Sequence, residues 1–506
     1  MDQHIDNVSL SIVICAVLPI LFLLGRSIYN VYFHPLAAVP GPRLYAISSA
    51  PYLYRVASGK WPFILKGLHD KYGPVVRFGP NDASFITPNS WKDIYGHRNS
   101  GQPNFDKDLR IYRQRKTGAP NILVANDTDH SRFRRLLSHG FSEKALRGQE
   151  GVMKRYIDKL ITKMHECARV KSGVMDMVKW YNFTTFDLIG DLAFGESFGC
   201  LDSGGYHPWV AMIFDGFRLS AYVLTVKYYP WLERPVMWFI PRSLKEKQQQ
   251  NLSLSFEKVG KRVASGNSER EDFISYILRH QDDEKFAMTP HELGENSSIL
   301  IVAGSETTAT LLSGTTYLIL QDSRIYQRLI REIRSTFQKE EDINLSSVGN
   351  LSYLIAVFSE AFRMYPPVPT GLPRKVPAGG KSLSGYYFPE NTSVSVPNWA
   401  AYQSSENFYL PQQFIPERWL ADERDARFLN DAREVVQPFS YGPRNCLGKN
   451  LAYAEMRLIL ARVLWNFDLE IDADSLEWYH TQYIFSFWQK PALNVRLVPQ
   501  AQISRE

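Results

Sequence analysis

Phe439-Ser-Tyr-Gly-Pro-Arg-Asn-Cys-Leu-Gly448 sets Cys446 in a chemically marked place. The cysteine stands just ahead of a segment with helical patterning, from about Gly448 to Phe467. The positive end of such a helix favours a thiolate, and Arg444 adds charge two residues earlier. Gly442 and Gly448 permit tight turns and the close approach of a flat ligand. The setting suits a reactive thiol or a metal ligand. A lone cysteine is also commonly a small buried hydrophobe, so the residues by themselves leave all three readings open.

Upstream lies a second informative stretch. Thr289-Pro290-His291-Glu292 is a capping box with proline at the first helical position. A mainly apolar run continues to about Leu320, which predicts a helix about 45 Å long that crosses the core. Its middle holds Gly304-Ser305-Glu306-Thr307-Thr308. A glycine there costs about 1 kcal/mol, and a buried carboxylate costs more unless it is satisfied. A polar face touching solvent would explain the interruption. So would a bent groove in which ligand and water sit against the helix, and the apolar flanks favour the groove.

Taken together, these motifs resemble the cytochrome P450 family. Phe439, Gly442, Arg444, Cys446 and Gly448 meet the spacing of its haem-binding loop, Phe-x-x-Gly-x-Arg-x-Cys-x-Gly. Glu360-Ala361-Phe362-Arg363 resembles its Glu-x-x-Arg, whose i, i+3 spacing puts both charges on one helix face. Pro416-Glu417-Arg418-Trp419 resembles its Pro-Glu-Arg-Phe, with one aromatic exchanged for another. Ala303 to Thr308 is similar to its oxygen-activation signature. The run after the N-terminal apolar segment, His34-Pro35-Leu36 and Pro40-Gly41-Pro42, is similar to the fungal microsomal, secondary-metabolism branch.

The resemblance implies roles. Cys446 thiolate would be the axial ligand of a haem b iron, where it favours O–O cleavage. Phe439 would shield its sulfur. Arg444, His130, Arg134 and Arg374 would meet the haem carboxylates, with His130 in place of a tryptophan common in the family. Glu360, Arg363 and Arg418 would form a charge network beneath the haem. Gly304 would give oxygen room. Glu306 would relay protons from solvent to Thr307, which would hydrogen-bond to bound dioxygen. The implied activity is insertion of one oxygen atom of O2 into an apolar small molecule. An intact Glu306–Thr307 pair speaks against a same-fold isomerase, although oxidative cyclisation or desaturation could begin the same way. A non-catalytic haem-binding protein would need neither the pair nor a reductase.

Composition bounds the rest. Hydrophobic residues form 44% and charged residues 22% of 506, ordinary globular values that exclude disorder and coiled-coil rods. A net charge of +6 is too mild for nucleic-acid binding. Four cysteines are too sparse for a disulfide framework. There is no GxGxxG segment, and the resemblance implies electrons from a separate NADPH-cytochrome P450 reductase, with cytochrome b5 as an alternative donor. Lys449, on the basic face near Cys446, would help dock the reductase.

Asn7 to Gly25 carries no charge, and about 28 Å of helix matches a bilayer core. Acidic residues precede it and basic ones follow, which predicts a single-pass anchor in the endoplasmic reticulum membrane with a cytosolic body. A cleaved signal peptide would have a basic start, and this one is acidic.

The fold expected is mainly α with small β-sheets, the cytochrome P450 fold, behind one transmembrane helix. Its parts are an anchor at 1–27, a stiff, extended proline hinge at 28–45 and a catalytic domain at 46–506. Strands are expected at Val75–Phe78, Ala83–Thr87, Thr392–Val396, Phe467–Ile471 and Leu493–Val498. Gly260 to Asp272 reads as a loop between helices, and Gly101 to Asn121 as a mobile loop over the pocket. The aromatic-rich Tyr206 to Pro241 would roof the site and touch the membrane.

Overall fold

A computed structural model describes residues 17–99, 101–112, 119–170, 172–239, 253–254, 256–265, 272–279 and 287–500. Long helices carry the body. The central one, α5, is preceded by α1 (Asp127–Ser138), α2 (Glu143–Ala168), α3 (Met177–Phe194) and α4 (Pro208–Tyr228). α5 itself is Pro290–Leu320, followed by α6 (Ser323–Thr336), α7 (Ser352–Met364) and α8 (Lys449–Asn466).

The predicted capping box starts α5: Glu292 N–H donates to Thr289 Oγ1 at 3.2 Å, and Thr289 N–H donates to Glu292 Oε2 at 2.9 Å. The helix then runs unbroken for 31 residues, so the groove expected at Gly304 involves no break in it. Several of its buried hydroxyls are satisfied within the helix, Ser305 donating to Ile301 O at 2.6 Å and Ser313 to Ala309 O at 2.7 Å. Such i−4 bonds let polar residues sit in a buried helix without breaking it. α3 packs most extensively on α5. Gly304 makes part of this approach possible, since a Cβ there would lie 2.8 Å from Ile189 Cδ1 on α3.

The sheets are small. β1 (Val75–Gly79), β2 (Asp82–Phe85), β3 (Asp106–Lys107), β5 (Arg374–Lys375) and β8 (Ser393–Ser395) form one sheet in the order β1-β2-β8-β5-β3. β4 (Val174–Asp176), β9 (Phe467–Ile471) and β12 (Asn494–Pro499) form a second, in the order β4-β12-β9. Two hairpins complete the set, β6 (Lys381–Leu383) with β7 (Tyr386–Phe388), and β10 (Tyr483–Phe485) with β11 (Phe487–Gln489). The expected strands all fall within these, to within two residues at their ends.

Three expectations change. The connector after the N-terminal segment is turned rather than extended, with Ala37 N–H on His34 O at 2.8 Å and Val39 N–H on Leu36 O at 3.1 Å. Arg77 clamps it to β1, donating to Asn30 O at 2.9 Å and Leu36 O at 3.3 Å, so prolines set its path and an arginine holds it. The expected loop from Gly260 begins later, because helix continues to residue 264; 266–271 lie outside the described residues. The Gly101–Asn121 segment is tethered: β3 pairs with β5, and Arg110 bridges Asp108 at 2.5 Å and Asp82 at 2.7 Å. Its residues 113–118 lie outside the described part.

The first sixteen residues of the expected anchor also lie outside it. Residues 17–28 are helical and expose Leu18, Ile20, Leu21, Phe22 and Leu23. Among the described residues no helix is long and apolar enough to cross a membrane.

Candidate haem-binding site

Cys446 ends a loop whose shape its own residues dictate. Cys446 N–H donates to Phe439 O at 2.8 Å and closes the turn. Gly442 sits at φ +73°, and a Cβ there would come within 2.0 Å of Tyr95 O, so only glycine fits. Phe439 packs edge-on to Phe362, with centroids 5.2 Å apart, and against Tyr453 at 5.1 Å. Gly448 caps α8.

Cys446 keeps accessible surface, yet the protein crowded around its sulfur pushes the thiol pKa upward. The Gly448 N–H and the charges of Arg134 and Lys449 pull the other way without prevailing. A coordinated metal deprotonates a thiol outright.

Among the described residues no cluster of three His, Cys, Asp or Glu side chains could hold a metal. An ion on Cys446 would need its remaining ligands from elsewhere, as a porphyrin provides.

The cations expected near such a group are close to one another, and one was missed. Lys107 on β3 lies opposite Arg374 on β5. Its pKa is driven well below the ordinary lysine range by burial and then by Arg374 and Arg444. His130 on α1 is buried and pushed down to about 3, by desolvation first and then by Arg444, Lys107 and Arg134.

Asp127 is a counter-charge to these groups, and Arg444 already uses it at 2.6 Å while also donating to Ala125 O at 2.8 Å. Arg374 is 5% exposed and its Nε has no partner. A buried, partnerless guanidinium nitrogen amid like charges fits a group bearing carboxylates, as haem does. Arg134 has a further partner within the chain. It grips the cysteine loop, donating to Asn445 O at 2.7 Å and Asn445 Oδ1 at 2.5 Å.

On α5 the residues of the expected signature divide between two faces. Ala303, Gly304 and Thr307 form its open side, and Thr307 Oγ1 donates to Ala303 O at 2.7 Å. Glu306 is 1% exposed on a hidden side, ion-paired with Lys490 and accepting from Thr310 Oγ1 at 3.2 Å. Nearby, Glu455 on α8 is wholly buried, its carboxyl pushed up to about 8 by desolvation against a hydrogen bond from Thr308.

The charge network is complete and wider than expected. Arg363 meets Glu360 at 2.7 and 2.9 Å, and Arg418 reaches it at 3.3 Å. Arg418 also binds Asp431 at 2.5 Å, and Trp419 Nε1 donates to Glu360 Oε2 at 2.9 Å. The cations hold the Glu360 carboxyl below its ordinary range despite full burial. Arg363 further donates to Tyr402 O at 3.1 Å and Gln413 O at 2.8 Å, which ties α7 to the chain leading toward Cys446.

The comparisons with known proteins agree with this geometry. A family model described as Cytochrome P450 matches residues 40–493. The chain is 46% identical to the cytochrome P450 monooxygenase astA of Talaromyces wortmannii, over 94% of each chain. It is 43% identical to the trichothecene C-15 hydroxylase of Fusarium sporotrichioides, over 95% of this chain and 96% of that one. It is 45% identical to the trichothecene C-4 hydroxylase of Trichoderma arundinaceum, over 93% and 94%.

The chain belongs to the cytochrome P450 family, and to its fungal secondary-metabolism branch. It is a monooxygenase, an oxidoreductase whose family uses haem iron, molecular oxygen and electrons from a redox partner.

Proposed function

We propose that the protein is a membrane-anchored haem-thiolate monooxygenase of the endoplasmic reticulum. It hydroxylates an apolar intermediate of fungal secondary metabolism at an unactivated C–H bond. One oxygen atom of O2 enters the product, and the other leaves as water with two protons and two electrons. The electrons come from NADPH-cytochrome P450 reductase, with cytochrome b5 as a second donor. The two relatives named trichothecene hydroxylases make a trichothecene precursor the first probe to try.

The observation that carries the reading is the convergence of Lys107, His130, Arg374 and Arg444 around one carboxylate, Asp127, with Arg374 buried and its Nε unpartnered. Haem b, when bound, supplies the activation of dioxygen. Cys446 would be its protein ligand, and the cations would neutralise its carboxylates. Phe439 shields the sulfur, Gly442 and Gly448 shape the loop, and Arg134 stiffens it through Asn445. Thr307 holds a hydroxyl proton on the open face of α5, and Glu306 supports its replenishment. Gly304 would give oxygen room, and its missing side chain admits Ile189 of α3.

Residues 1–27 anchor the chain and 28–45 set its angle. The exposed Phe33, Leu44, Tyr54, Trp231 and Trp238 support contact of the body with lipid. Exposed Lys449 supports a basic docking face near the cysteine loop.

The deciding experiment is the carbon monoxide difference spectrum of the reduced, membrane-bound protein. A strongly red-shifted Soret band that disappears in Cys446→Ser is expected. Its absence from folded, haem-loaded protein would overturn the reading.

A further inference from the structure

Lys490 is an unusual lysine. Its side chain is 2% exposed, although the chain as a whole has ample surface for a cation. It immediately follows β11 and has little freedom to leave. On one side Trp488 stacks on Tyr365 with centroids 4.3 Å apart and donates to Pro366 O at 2.8 Å. On the other, Pro491 O accepts from Trp478 Nε1 at 2.9 Å.

From this fixed backbone the ammonium reaches α5, where it pairs with Glu306 Oε1 and donates to Thr310 Oγ1 at 2.6 Å. Thr310 in turn donates to the same carboxylate oxygen. Glu306 Oε2 is buried without a partner. The rings beside the pair are Tyr206 and Tyr365, whose hydroxyls are harder to ionise through burial first, with the Glu306 charge adding to it.

Lys490 and Thr310 hold the Glu306 carboxylate in place, turned away from solvent. We propose that Lys490 is a positioning residue for the reaction. Its buried ion pair fixes the charge and orientation of Glu306 and thereby tunes proton supply to the adjacent Thr307. The C-terminal hairpin, β10 and β11, is thus joined to the oxygen-activating helix through one cation. This rests on the role proposed above for Glu306.

The test uses full-length, haem-loaded protein reconstituted with its reductase. Lys490→Met is compared with Lys490→Arg, Glu306→Gln and the Glu306→Gln, Lys490→Met double variant. Lys490→Met should keep the carbon monoxide spectrum. Its share of NADPH lost to hydrogen peroxide should rise several-fold, and its solvent deuterium isotope effect on turnover should grow. Lys490→Arg should restore coupling to within about twofold of the parent. The double variant should uncouple no more than Glu306→Gln alone, since the lysine acts through the glutamate.

Infrared difference spectra give a readout independent of turnover. A deuterium-sensitive carboxylic acid C=O band should appear in Lys490→Met and be missing from the double variant. Parent-like coupling in Lys490→Met, or a double variant far worse than Glu306→Gln, would overturn the proposal. If Lys490→Met does not load haem, the double variant, which buries no lone charge, decides by the same comparison. Parent-like coupling in Glu306→Gln would instead remove the role of Glu306 itself.

Discussion

Lys107 and Arg374 face each other across two antiparallel strands of only two residues each, β3 and β5. Like charges directly opposed in a ladder are destabilising. Burial sharpens the conflict, and the fold keeps it near His130 and Arg444. An anion arriving between them would relieve that repulsion.

Lys107→Met should therefore act in opposite directions in the two states. Without haem the variant should melt higher, by an amount on the order of 1 kcal/mol in stability. With haem it should melt lower and lose the cofactor faster. Thermal unfolding of both forms, with haem transfer to an apoglobin acceptor, checks this. Equal destabilisation of both would mean that Lys107 is only a packing residue.

Thr307→Ala tests the open face of α5. The substitution removes the hydroxyl that now bonds to Ala303 O without changing the helix course. The carbon monoxide spectrum should persist while much of the NADPH consumed becomes hydrogen peroxide. Parent-like coupling would remove Thr307 from the proton path.

Glu360 predicts an acid limit. Arg363 and Arg418 hold its folded pKa below the unfolded value of about 4.5. Its stabilising contribution is thus present above pH 4.5 and is lost as pH falls through the lower folded value. Glu360→Gln should lose about 3–5 kcal/mol at neutral pH, because Arg363 and Arg418 would remain buried without their shared anion. Trp419→Phe should lose about 1–2 kcal/mol, the indole donor alone. Denaturant midpoints between pH 3 and 7 (on the order of the ordinary carboxyl range) would show both.

This triad also shows what the sequence makes legible. Glu360 and Arg363 stand three apart on one helix, and the cysteine loop is a run of ten residues, so local spacing exposes both. The same holds for the capping box of α5. Asp431, the Trp419 donor and Lys107 join the site through contacts between distant segments, which no local pattern records. The side on which Glu306 lies was hidden for the same reason: its partner Lys490 is 184 residues away. Around Cys446 a helix end and one arginine are visible in sequence, while the crowding that raises its thiol is not.

Glu455 supplies a pH dependence of the opposite sign. Its folded pKa is raised from 4.5 to about 8. The folded state keeps that proton between these values while the unfolded state loses it. Stability should then fall with rising pH across that window, by up to about 1.4 kcal/mol per pH unit, and level off above pH 8. Glu455→Gln should abolish the slope and be the more stable form at pH 8. Unfolding of parent and variant across this range separates the effect from that of any other group.

Two glycines of the site should respond differently to alanine, and the contrast tests which part of the site is rigid. At Gly442 the added Cβ would meet a backbone carbonyl, Tyr95 O, at 2.0 Å, and the residue already sits at φ +73°. Backbone cannot yield locally, so Gly442→Ala should abolish haem loading, and no side-chain change nearby should restore it. At Gly304 the Cβ would meet Ile189 Cδ1 at 2.8 Å, the far end of a side chain on α3. Gly304→Ala alone should cost about 1–3 kcal/mol as overpacking. Adding Ile189→Val, which removes that terminal methyl, should return most of it. If the pair recovers stability but not coupling, the glycine serves the reaction as well as the packing. If it recovers both, the glycine serves only the packing of α3 on α5.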